Sequence, residues 1–421
     1  MNPPRLLLAG ASVRALARSA LAGAAARARF PGGILAVDYF GDHDLTVDPR
    51  VTPVAIARDL GLPRTTAGLG HALIRLATAG TTWDGLAWAG GLENRPALLR
   101  RLARRGPAGS APLLGNRPEV VAAVRNTRLL FAALEAEHLR HPEMPGLDAA
   151  PRDGRRWLFK HRRCAGGRGV RMAAPGEPRR PGEDLQEWLE GVPCSVAFVA
   201  DGRAARLLGA TEQLPGVPGV AEAAENRFRY AGNIAGPLET LTAAERATLE
   251  RAAGVVTGRF GLRGLNGLDY VLAPDGPAFL EVNPRFTASM EILEEMAGVS
   301  FFDLHLEAVD GRLPGPERSG SRGNPAGSAS AWMGKRILYA EGAVEAPEPG
   351  VLEPLGVRDR PHRGERFEAG QPLCTLIVSA SGREACRAAL RAGEHEVRRL
   401  FRAPEGDRAP TAAPPSPPAT A

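Results

Sequence analysis

The chain has 421 residues, 44% of them hydrophobic, which is enough for two or three domains with cores of their own. Lysine and arginine outnumber aspartate and glutamate by 53 to 47, and the formal net charge is +6. The basic residues are spread along the chain without aromatic interleaving, which predicts no nucleic-acid partner. No stretch has the roughly 20 uninterrupted apolar residues of a membrane span, so no membrane association is expected.

The cysteines show no C-x-x-C pair and no histidine at zinc-ligand spacing. Free thiols are typical of a reducing compartment. Near the amino terminus, Arg14 and Arg18 interrupt an alanine-rich stretch that otherwise resembles a signal peptide. These features predict a cytoplasmic protein. The cysteines are Cys164, Cys194, Cys374 and Cys386.

The amino-terminal region begins with a β-α-β pattern. An apolar strand over residues 5–9 leads to Ser12, which can cap a helix over residues 13–29, and a second strand ends at Asp38. This order predicts a doubly wound parallel sheet. The first turn lacks G-x-G-x-x-G, which favours a scaffold role for Asp38 over ribose binding and argues against a dehydrogenase.

Further along, a helix is expected over residues 118–136, and a strand follows that contains Lys160. Lysine occurs in this chain only there and at Lys335, so each is a better functional candidate than an average lysine. Lys335 is nevertheless expected to be a solvated strand residue. The glycine-rich loop after Lys160 has little side-chain bulk, so its backbone N–H groups can approach phosphate, although an ordinary glycine hairpin is the alternative. Its glycines are Gly166, Gly167 and Gly169.

A predicted hairpin with turn residues at 274–277 brings Asp269 near Glu281 and Asn283. Glu281 and Asn283 are two positions apart, so they share one face of a strand. Asp269 shares that face in only one register, which the sequence leaves open. Such oxygen ligands suit a hard cation such as Mg²⁺, while a solvated hairpin is the alternative. A helix is expected over residues 284–297.

The spacing D-x(11)-E-x-N-P-R resembles the carboxy-terminal metal-binding signature of the ATP-grasp superfamily, whose members join a carboxylate to a nucleophile with ATP. The resemblance implies that Asp269, Glu281 and Asn283 hold Mg²⁺ (or Mn²⁺). It also implies that Lys160 and the glycine loop bind the phosphates of ATP, and that Arg285 stabilises the transferring phosphoryl group. The motifs GASVRALARSA, AVDYFGDHD, GATEQL and YAGNI resemble the predicted ATP-dependent carboligases, a branch related to biotin carboxylase.

Residues 186–189 resemble the hinge of this superfamily, which implies that their backbone pairs with adenine. The glutamate that often binds ribose two positions after the hinge glycine is absent, because Pro193 stands there, and Glu190 is the alternative. In the superfamily a basic residue of the helix after residue 118 often reaches the nucleotide, and Arg125 or Arg128 could do so here, but helix-surface arginines are common and neither is assigned to the site. The implied adenine contacts are Glu187, Trp188 and Leu189.

An anionic acceptor substrate could be bound after residue 226. Arg227, Arg229 and Tyr230 cluster there, and an arginine presents a planar fork of donors to a carboxylate. The resemblance and the composition divide the chain into five parts of α/β and α+β structure. These are a pre-ATP-grasp domain (1–115), a two-lobed ATP-grasp domain (116–311), a linker (312–330), a small α/β domain (331–402) and a disordered tail (403–421).

The resemblance implies a ligase that joins a small-molecule carboxylate to an amine through an acyl phosphate, on a metabolite or cofactor precursor, and it is compatible with a homodimer. Two alternatives remain open. One is a nucleotide-binding regulatory protein without ligase activity, and the other is an ATP-grasp enzyme of the carboxylase type. The identity of the substrates does not follow from the sequence.

Overall fold

The computed structural model describes residues 3–104, 112–146, 149–151, 154–163, 165–216, 227–315, 318 and 332–402. The predicted tail, Cys164 and most of the predicted linker lie outside these ranges. The described part of the chain contains four sheets and the helices that pack on them. Within it, no helix combines the length and the apolarity that crossing a bilayer requires.

The amino-terminal region is a four-stranded parallel sheet in the order β3-β2-β1-β4. The central strands β1 and β2 are buried along their whole length, as expected when helices cover both faces of a parallel sheet. The predicted doubly wound sheet is therefore confirmed. Its strands are β1 (Leu6–Ala9), β2 (Ile34–Asp38), β3 (Val51–Ala55) and β4 (Gly85–Trp88). Its helices are α1 (Arg14–Ala22), α2 (Ala24–Arg29), α3 (His43–Thr46), α4 (Ile56–Leu60), α5 (Thr66–Thr78) and α6 (Pro96–Ala103).

Two helices stand where a single capped helix was predicted after Ser12. The N-cap of α1 is Val13, whose N–H donates to Asp38 at 3.1 Å, while the Ser12 hydroxyl bonds Asp359 instead. The helix breaks at Gly23, where an added Cβ would lie 2.2 Å from Asp303. The carboxylate of Asp303 accepts the first N–H groups of α2, so a distant residue ends one helix and starts the next.

The helix predicted over residues 118–136 is also two helices, α7 (Pro118–Val124) and α8 (Thr127–Glu135). Asn126 separates them because its side chain accepts the N–H groups of Arg128 and Leu129, which caps α8. A small antiparallel sheet in the order β6-β5-β7 follows, made of β5 (Trp157–His161), β6 (Val170–Ala173) and β7 (Glu183–Glu187).

The largest sheet has eight antiparallel strands in the order β12-β11-β8-β9-β10-β13-β17-β15. Strands from the carboxy-terminal segment thus continue the sheet that contains the predicted metal hairpin. The domain boundaries given above stay a prediction. Its strands are β8 (Val192–Asp201), β9 (Ala205–Pro215), β10 (Tyr230–Ala235), β11 (Arg263–Ala273), β12 (Gly276–Asn283), β13 (Trp332–Tyr339), β15 (Val357–Arg358) and β17 (Pro372–Ala380). A two-stranded ribbon is formed by β14 (Val344–Glu345) and β16 (Arg366–Phe367).

Five helices accompany this sheet. The longest begins with a capping box between Thr242 and Glu245 and ends at a left-handed glycine, Gly261. The helix predicted from residue 284 begins only at Met290, so its first six residues are irregular. The helices are α9 (Ala243–Phe260), α10 (Met290–Ala297), α11 (Phe301–Val309), α12 (Pro349–Leu352) and α13 (Arg383–Arg398).

The prediction that Lys335 is a solvated residue is wrong. Its side chain on β13 is buried, and its Nζ lies 2.6 Å from Glu291 on α10. Arg14 on α1 pairs with the same carboxylate. Three distant segments therefore meet at one buried ionic network, which a strand pattern cannot reveal.

Candidate functional site

The hairpin of β11 and β12 brings the predicted metal ligands together through one irregularity. Near its turn the pairing is regular, with Tyr270 opposite Phe279, but the next pair is Asp269 and Glu281. Leu280 is the extra residue of a β-bulge. Because directly opposite residues of an antiparallel pair point to the same face, the bulge places Glu281 on the face of Asp269. A continued regular register would pair Asp269 with Leu280.

Asn283 completes this cluster from two positions further along β12. Its Nδ2 donates to Asp269 Oδ2 at 2.9 Å, and Gln213 on β9 donates to the other oxygen of Asp269 at 3.1 Å. Burial, and then repulsion by Glu281, raise the pKa of Asp269 to about 6. The predicted trio Asp269, Glu281 and Asn283 therefore shares one polar surface on the large sheet.

Two cations converge on Glu281. Lys160 on β5 reaches across from the small sheet and places Nζ 2.6 Å from Glu281 Oε2, and Arg125, just after α7, places Nη1 3.5 Å from the same oxygen. Burial alone would raise the pKa of Glu281, but the positive charges of Lys160 and Arg125 outweigh it and lower the pKa to about 2. The carboxylate is therefore ionised at neutral pH and neutralised by two side chains from outside its own sheet.

These groups line a cleft between the small and the large sheet, with an empty volume of about 410 Å³. The small sheet contributes Lys160, Asp184 and Gln186, and the large sheet contributes Glu281. The cleft thus has a cationic side and an anionic side, which suits a ligand that bears phosphates together with a metal ion.

Arg285 is held in place from the amino-terminal region. Its Nε donates to Glu93 at 2.9 Å, and its Nη2 donates to Asn283 Oδ1 at 3.3 Å. Glu93 is only 2% exposed and also accepts the N–H of Gly91. Arg285 is thereby fixed beside Asn283, with its guanidinium group tied to a buried carboxylate after β4.

The predicted phosphate loop adopts a conformation that needs glycine. Gly166, Gly167 and Gly169 all have positive φ, and the carbonyl of Gly166 accepts the N–H of Tyr230 at 3.0 Å. A Cβ on Gly167 would lie 1.7 Å from the carbonyl oxygen of Phe228. The loop therefore packs closely against the chain just before β10, at the edge of the site.

The predicted hinge lies at the end of β7, beside the cleft residue Gln186. The N–H groups of Glu187 and Trp188 are bonded to the carbonyls of Glu143 and Arg156, and the Trp188 ring stacks against the Arg156 guanidinium group at 3.7 Å. Those two N–H groups are thus used within the protein. Leu189, the third predicted adenine contact, follows the end of β7. The hinge assignment stays a prediction.

Of the predicted acceptor residues, Tyr230 lines a second pocket and Arg227 does not. Arg227 is exposed, whereas Arg229 and Tyr230 line a pocket of about 870 Å³ beside the glycine loop. The guanidinium group of Arg229 stacks on Tyr339 at 4.1 Å and donates to the Gly370 carbonyl. The Tyr230 hydroxyl bonds Asn233. Of the three predicted acceptor residues, Arg229 and Tyr230 therefore share one pocket, and their role stays a prediction.

Asp38 has the structural surroundings of a scaffold residue. Its carboxylate is buried and accepts the N–H groups of Val13, Phe40 and Gly41 at 2.8–3.1 Å. These bonds join the end of β2 to the start of α1. The oxygens that a ribose hydroxyl would need are engaged by the backbone.

Sequence reasoning missed two residues of the site, Arg125 and Glu93. Arg125 was set aside as one of several arginines on a helix surface, yet the break between α7 and α8 turns it toward Glu281. The signal that could have found it is Asn126, a strong N-cap residue that predicts the break. Glu93 lies 192 positions before Arg285, and no local pattern connects the two.

Comparison with protein families matches residues 124–289 to a model described as an ATP-grasp domain. No curated protein matches the chain. The matched range contains Lys160, the glycine loop and every residue of the metal hairpin. It begins at the end of α7 and ends at the residue before α10.

Solved structures resemble the whole chain in fold. The biotin carboxylase–βγ-ATP complex from Campylobacter jejuni has a TM-score of 0.67 and 15% identity, covering 95% of this chain and 92% of the other. Carboxyaminoimidazole ribonucleotide synthase from Aspergillus clavatus, complexed with ATP, has a TM-score of 0.64 and 14% identity, covering 95% and 99%. The biotin carboxylase domain of Hydrogenobacter thermophilus 2-oxoglutarate carboxylase has a TM-score of 0.66 and 14% identity, covering 96% and 91%. At these identities the likeness concerns the fold, and it confirms the predicted architecture.

Proposed function

We propose that this chain, whose residues 124–289 match the ATP-grasp domain model, belongs to the ATP-grasp superfamily and is an ATP-dependent carboxylate–amine ligase. Its cofactors are ATP and Mg²⁺ or Mn²⁺, and its partners are a small-molecule carboxylate and an amine. The similar solved structures that contain ATP, or ADP with magnesium, support this assignment of cofactors. A homodimer and a cytoplasmic location stay predictions.

The observation that carries the proposal is the meeting of Lys160 and Arg125 at Glu281, next to Asp269. Lys160 of the small sheet faces Glu281 of the large sheet across one cleft, and Asp269 lies directly opposite Glu281 on β11. Ligands that bring both phosphates and a divalent cation satisfy the cationic and the anionic groups at once. A scaffold role does not explain why two cations and two carboxylates converge at this point.

The residues present fit a divalent cation. Asp269 and Glu281 offer carboxylate oxygens on one face, and Asn283 offers an amide oxygen from the same face. At present the amide points its nitrogen to Asp269 and its oxygen to Arg285, so coordination by Asn283 requires the amide to turn over. Within the described residues no three His, Cys, Asp or Glu side chains gather for a metal, so the Asn283 amide and ligand oxygens complete the set.

When bound, ATP supplies the phosphoryl group that activates a carboxylate as an acyl phosphate, and Mg²⁺ neutralises the phosphate charge. Lys160 and Arg125, which pair with Glu281, are the side chains that would bind the phosphate oxygens of the nucleotide. Arg285, fixed by Glu93, presents its remaining donors to the negative charge that develops on the transferring group. These residues position and neutralise.

We assign the glycine loop the role of excluding water from the reacting groups. Gly166 and Arg168 of the loop line the second pocket, and the Gly166 carbonyl accepts the N–H of Tyr230. An acyl phosphate reacts with water, so a covered site favours attack by the amine, which forms the amide and releases phosphate. Arg229 and Tyr230 line the same pocket.

The test is the substitution Glu281→Gln. It keeps the shape of the side chain but removes the negative charge, so ADP release with ATP, Mg²⁺ and a set of carboxylates and amines should fall to the level of the assay without enzyme. The control is Glu212→Gln, because Glu212 pairs with Arg383 and Arg387 outside the cleft. Full ADP release by Glu281→Gln, with native circular dichroism, rejects the function. ADP release that needs bicarbonate and no amine indicates the carboxylase type instead.

A further inference from the structure

The second pocket, of about 870 Å³, lies between the amino-terminal sheet, the glycine loop and the carboxy-terminal segment. Most of its wall is apolar, which suits the body of an organic ligand. Apart from Arg229, Tyr230 and Gly166 of the glycine loop, the function proposed above uses none of its residues. The apolar wall is formed by Phe40, Ile337, Tyr339, Phe367 and Leu373.

One residue of this wall is a buried carboxylate without a counter-charge of its own. Asp42 lines the pocket, is 7% exposed, and its Oδ2 has no hydrogen-bond partner within the described part of the chain. Burial, and then repulsion by Asp359 and Asp38, raise its pKa well above the usual value. Burying a charged carboxylate costs free energy unless a partner pairs with it. A cationic ligand would supply the partner that Asp42 lacks.

Arg14, the cation whose charge acts on Asp42, is already engaged, and Arg168 and Arg229 line the pocket without forming an ion pair with Asp42. Arg14 lies 2.9 Å from Asp359 and 3.7 Å from Asp44, and it also pairs with Glu291. Its charge is thus shared among three carboxylates. A metal ion is a poor match, because no three His, Cys, Asp or Glu side chains of the described ranges are arranged to hold one. The carboxylate end of this pocket therefore favours an organic cation.

Ala11 lines the same pocket as Asp42 and connects it to the candidate reacting centre. Ala11 follows β1, and Gly90 follows the neighbouring strand β4. A Cβ on Gly90 would lie 3.6 Å from the guanidinium group of Arg285, and Ala11 donates to the Gly90 carbonyl.

We propose that this pocket binds an organic cation with an apolar body, whose ammonium group pairs with Asp42. That this cation is the acceptor substrate of the ligase rests on the function proposed above. The substrate then holds its charged group at Asp42, and its reacting end lies toward Ala11, which is bonded to Gly90 beside Arg285.

Calorimetric titration of the full chain, without nucleotide, tests the pairing with three probes of one carbon skeleton. 4-Phenylbutylamine is cationic, 4-phenylbutan-1-ol is neutral, and 4-phenylbutyrate is anionic at pH 7.5. A charge-assisted hydrogen bond to Asp42 should make the amine bind about tenfold or more tightly than the alcohol. The anion should bind more weakly than the amine, because it has no ammonium group to pair with Asp42.

The variant Asp42→Asn should bring the amine and the alcohol within about twofold of each other. The matched control Asp48→Asn lies beyond α3 on the same connection between β2 and β3 but pairs with Arg50, and it should keep the preference for the amine. If Asp42→Asn does not fold, Ile337→Trp, which fills the pocket, should abolish binding of the amine. Three outcomes overturn the proposal: equal binding of amine and alcohol, no binding of any probe, or an unchanged preference in Asp42→Asn or in a folded Ile337→Trp.

The binding test and the ligase test fail separately. The probes are titrated without ATP, so a rejected pocket leaves ADP release and its dependence on Glu281 unaffected. Conversely, the amine could bind although the Glu281→Gln substitution leaves ADP release unchanged. That result would support the pocket as a cation site and would reject its ligand as a ligase substrate.

Discussion

One carboxylate oxygen of Glu281 lies close to two cationic side chains, and a phosphate ligand would attract the same two side chains. Lys160 lies 2.6 Å from that oxygen and Arg125 lies 3.5 Å from it, and both side chains are mostly buried. Charges in such a place interact more strongly than in water, so they are also costly to leave without partners. We therefore expect both cations to change partner, rather than to separate from anions, when a nucleotide binds.

Arg125→Met should raise the KM for ATP about tenfold or more, because one charge-assisted contact to phosphate is lost while the length of the side chain is kept. The KM for the carboxylate should change little. ADP release measured against ATP concentration checks this. Arg128→Met is the matched control, since Arg128 is exposed on α8 and donates to the Pro145 carbonyl. Equal KM values in the two variants would remove Arg125 from the site.

Glu294 on α10 is a second residue whose surroundings fix a measurable property. It accepts hydrogen bonds from Ser19 and from the N–H of Phe301, yet burial outweighs these bonds and raises its pKa to about 7. The folded protein therefore binds a proton at Glu294 that the unfolded chain has already released at neutral pH. A raised pKa contributes stability that is complete below the ordinary value of 4.5 and is lost as the pH rises toward 7.

Glu294→Gln should remove that loss. Relative to the native chain, its free energy of unfolding should rise by about 2 to 3 kcal/mol between pH 4.5 and pH 7.5. Urea unfolding followed by circular dichroism at several pH values gives this difference. Glu295→Gln, at the next position but in an ion pair with Arg18, should show no such trend. Parallel pH curves for Glu294→Gln and the native chain would contradict the raised pKa.

At the scale of single residues, the sequence could predict the members of the site but not their partners. Lys160 and Glu281 follow from a rare lysine and a spaced acidic motif, and their contact across the cleft agrees with that prediction. Glu93 could not be found, because its link to Arg285 spans 192 positions. Lys335 was misjudged because a strand pattern says which face a residue takes, but not which helix covers that face.

At the scale of elements, the hairpin of β11 and β12 shows where such prediction ends. Its strands and its turn follow from residue types, but the bulge at Leu280 does not, and the bulge decides whether Asp269 and Glu281 share a face. The helices after it differ from prediction for a related reason. Helix α1 starts at a backbone N–H bound by Asp38, and such side-chain partners come from folding, not from local sequence.

The glycine loop offers a matched pair of substitutions. Gly166 and Gly167 both have positive φ, so alanine at either position strains the backbone by about 1 to 2 kcal/mol. Gly167→Ala in addition collides with the Phe228 carbonyl, whereas an added Cβ on Gly166 meets nothing within 4 Å. Gly167→Ala should therefore prevent the packed position of the loop and lower kcat about tenfold more than Gly166→Ala does.

Steady-state ADP release gives both values, and limited proteolysis at Arg168 reports the loop directly. The described loop contains this arginine, which is exposed, so trypsin should cleave Gly167→Ala faster than Gly166→Ala in the presence of ATP. Equal kcat and equal cleavage of the two variants would show that the contact with Phe228 does not contribute to closure.

At the scale of the whole molecule, one ionic network and one sheet join regions that are far apart in sequence. Glu291 on α10 pairs with Arg14 of the amino-terminal region and, at 2.6 Å, with Lys335 of the carboxy-terminal segment. All three are at most 5% exposed. The large sheet continues from β10 into β13, so the carboxy-terminal segment shares hydrogen bonds with the ATP-grasp strands. We therefore expect these regions to unfold together.

Glu291→Ala tests this expectation, because it leaves Arg14 and Lys335 buried with a carboxylate removed between them. Breaking a buried pair in this way costs about 3 to 5 kcal/mol, so the midpoint of urea unfolding should fall markedly while the transition stays single. Glu250→Gln is the control, since Glu250 pairs with Arg246 on the exposed side of α9 and an exposed pair contributes about 1 kcal/mol at most. Two separate transitions in Glu291→Ala would mean that the network, and not the shared sheet, holds the carboxy-terminal segment to the rest. A single transition at a lower midpoint would mean that the shared sheet makes the regions unfold together, while the ionic network adds to the free energy of unfolding.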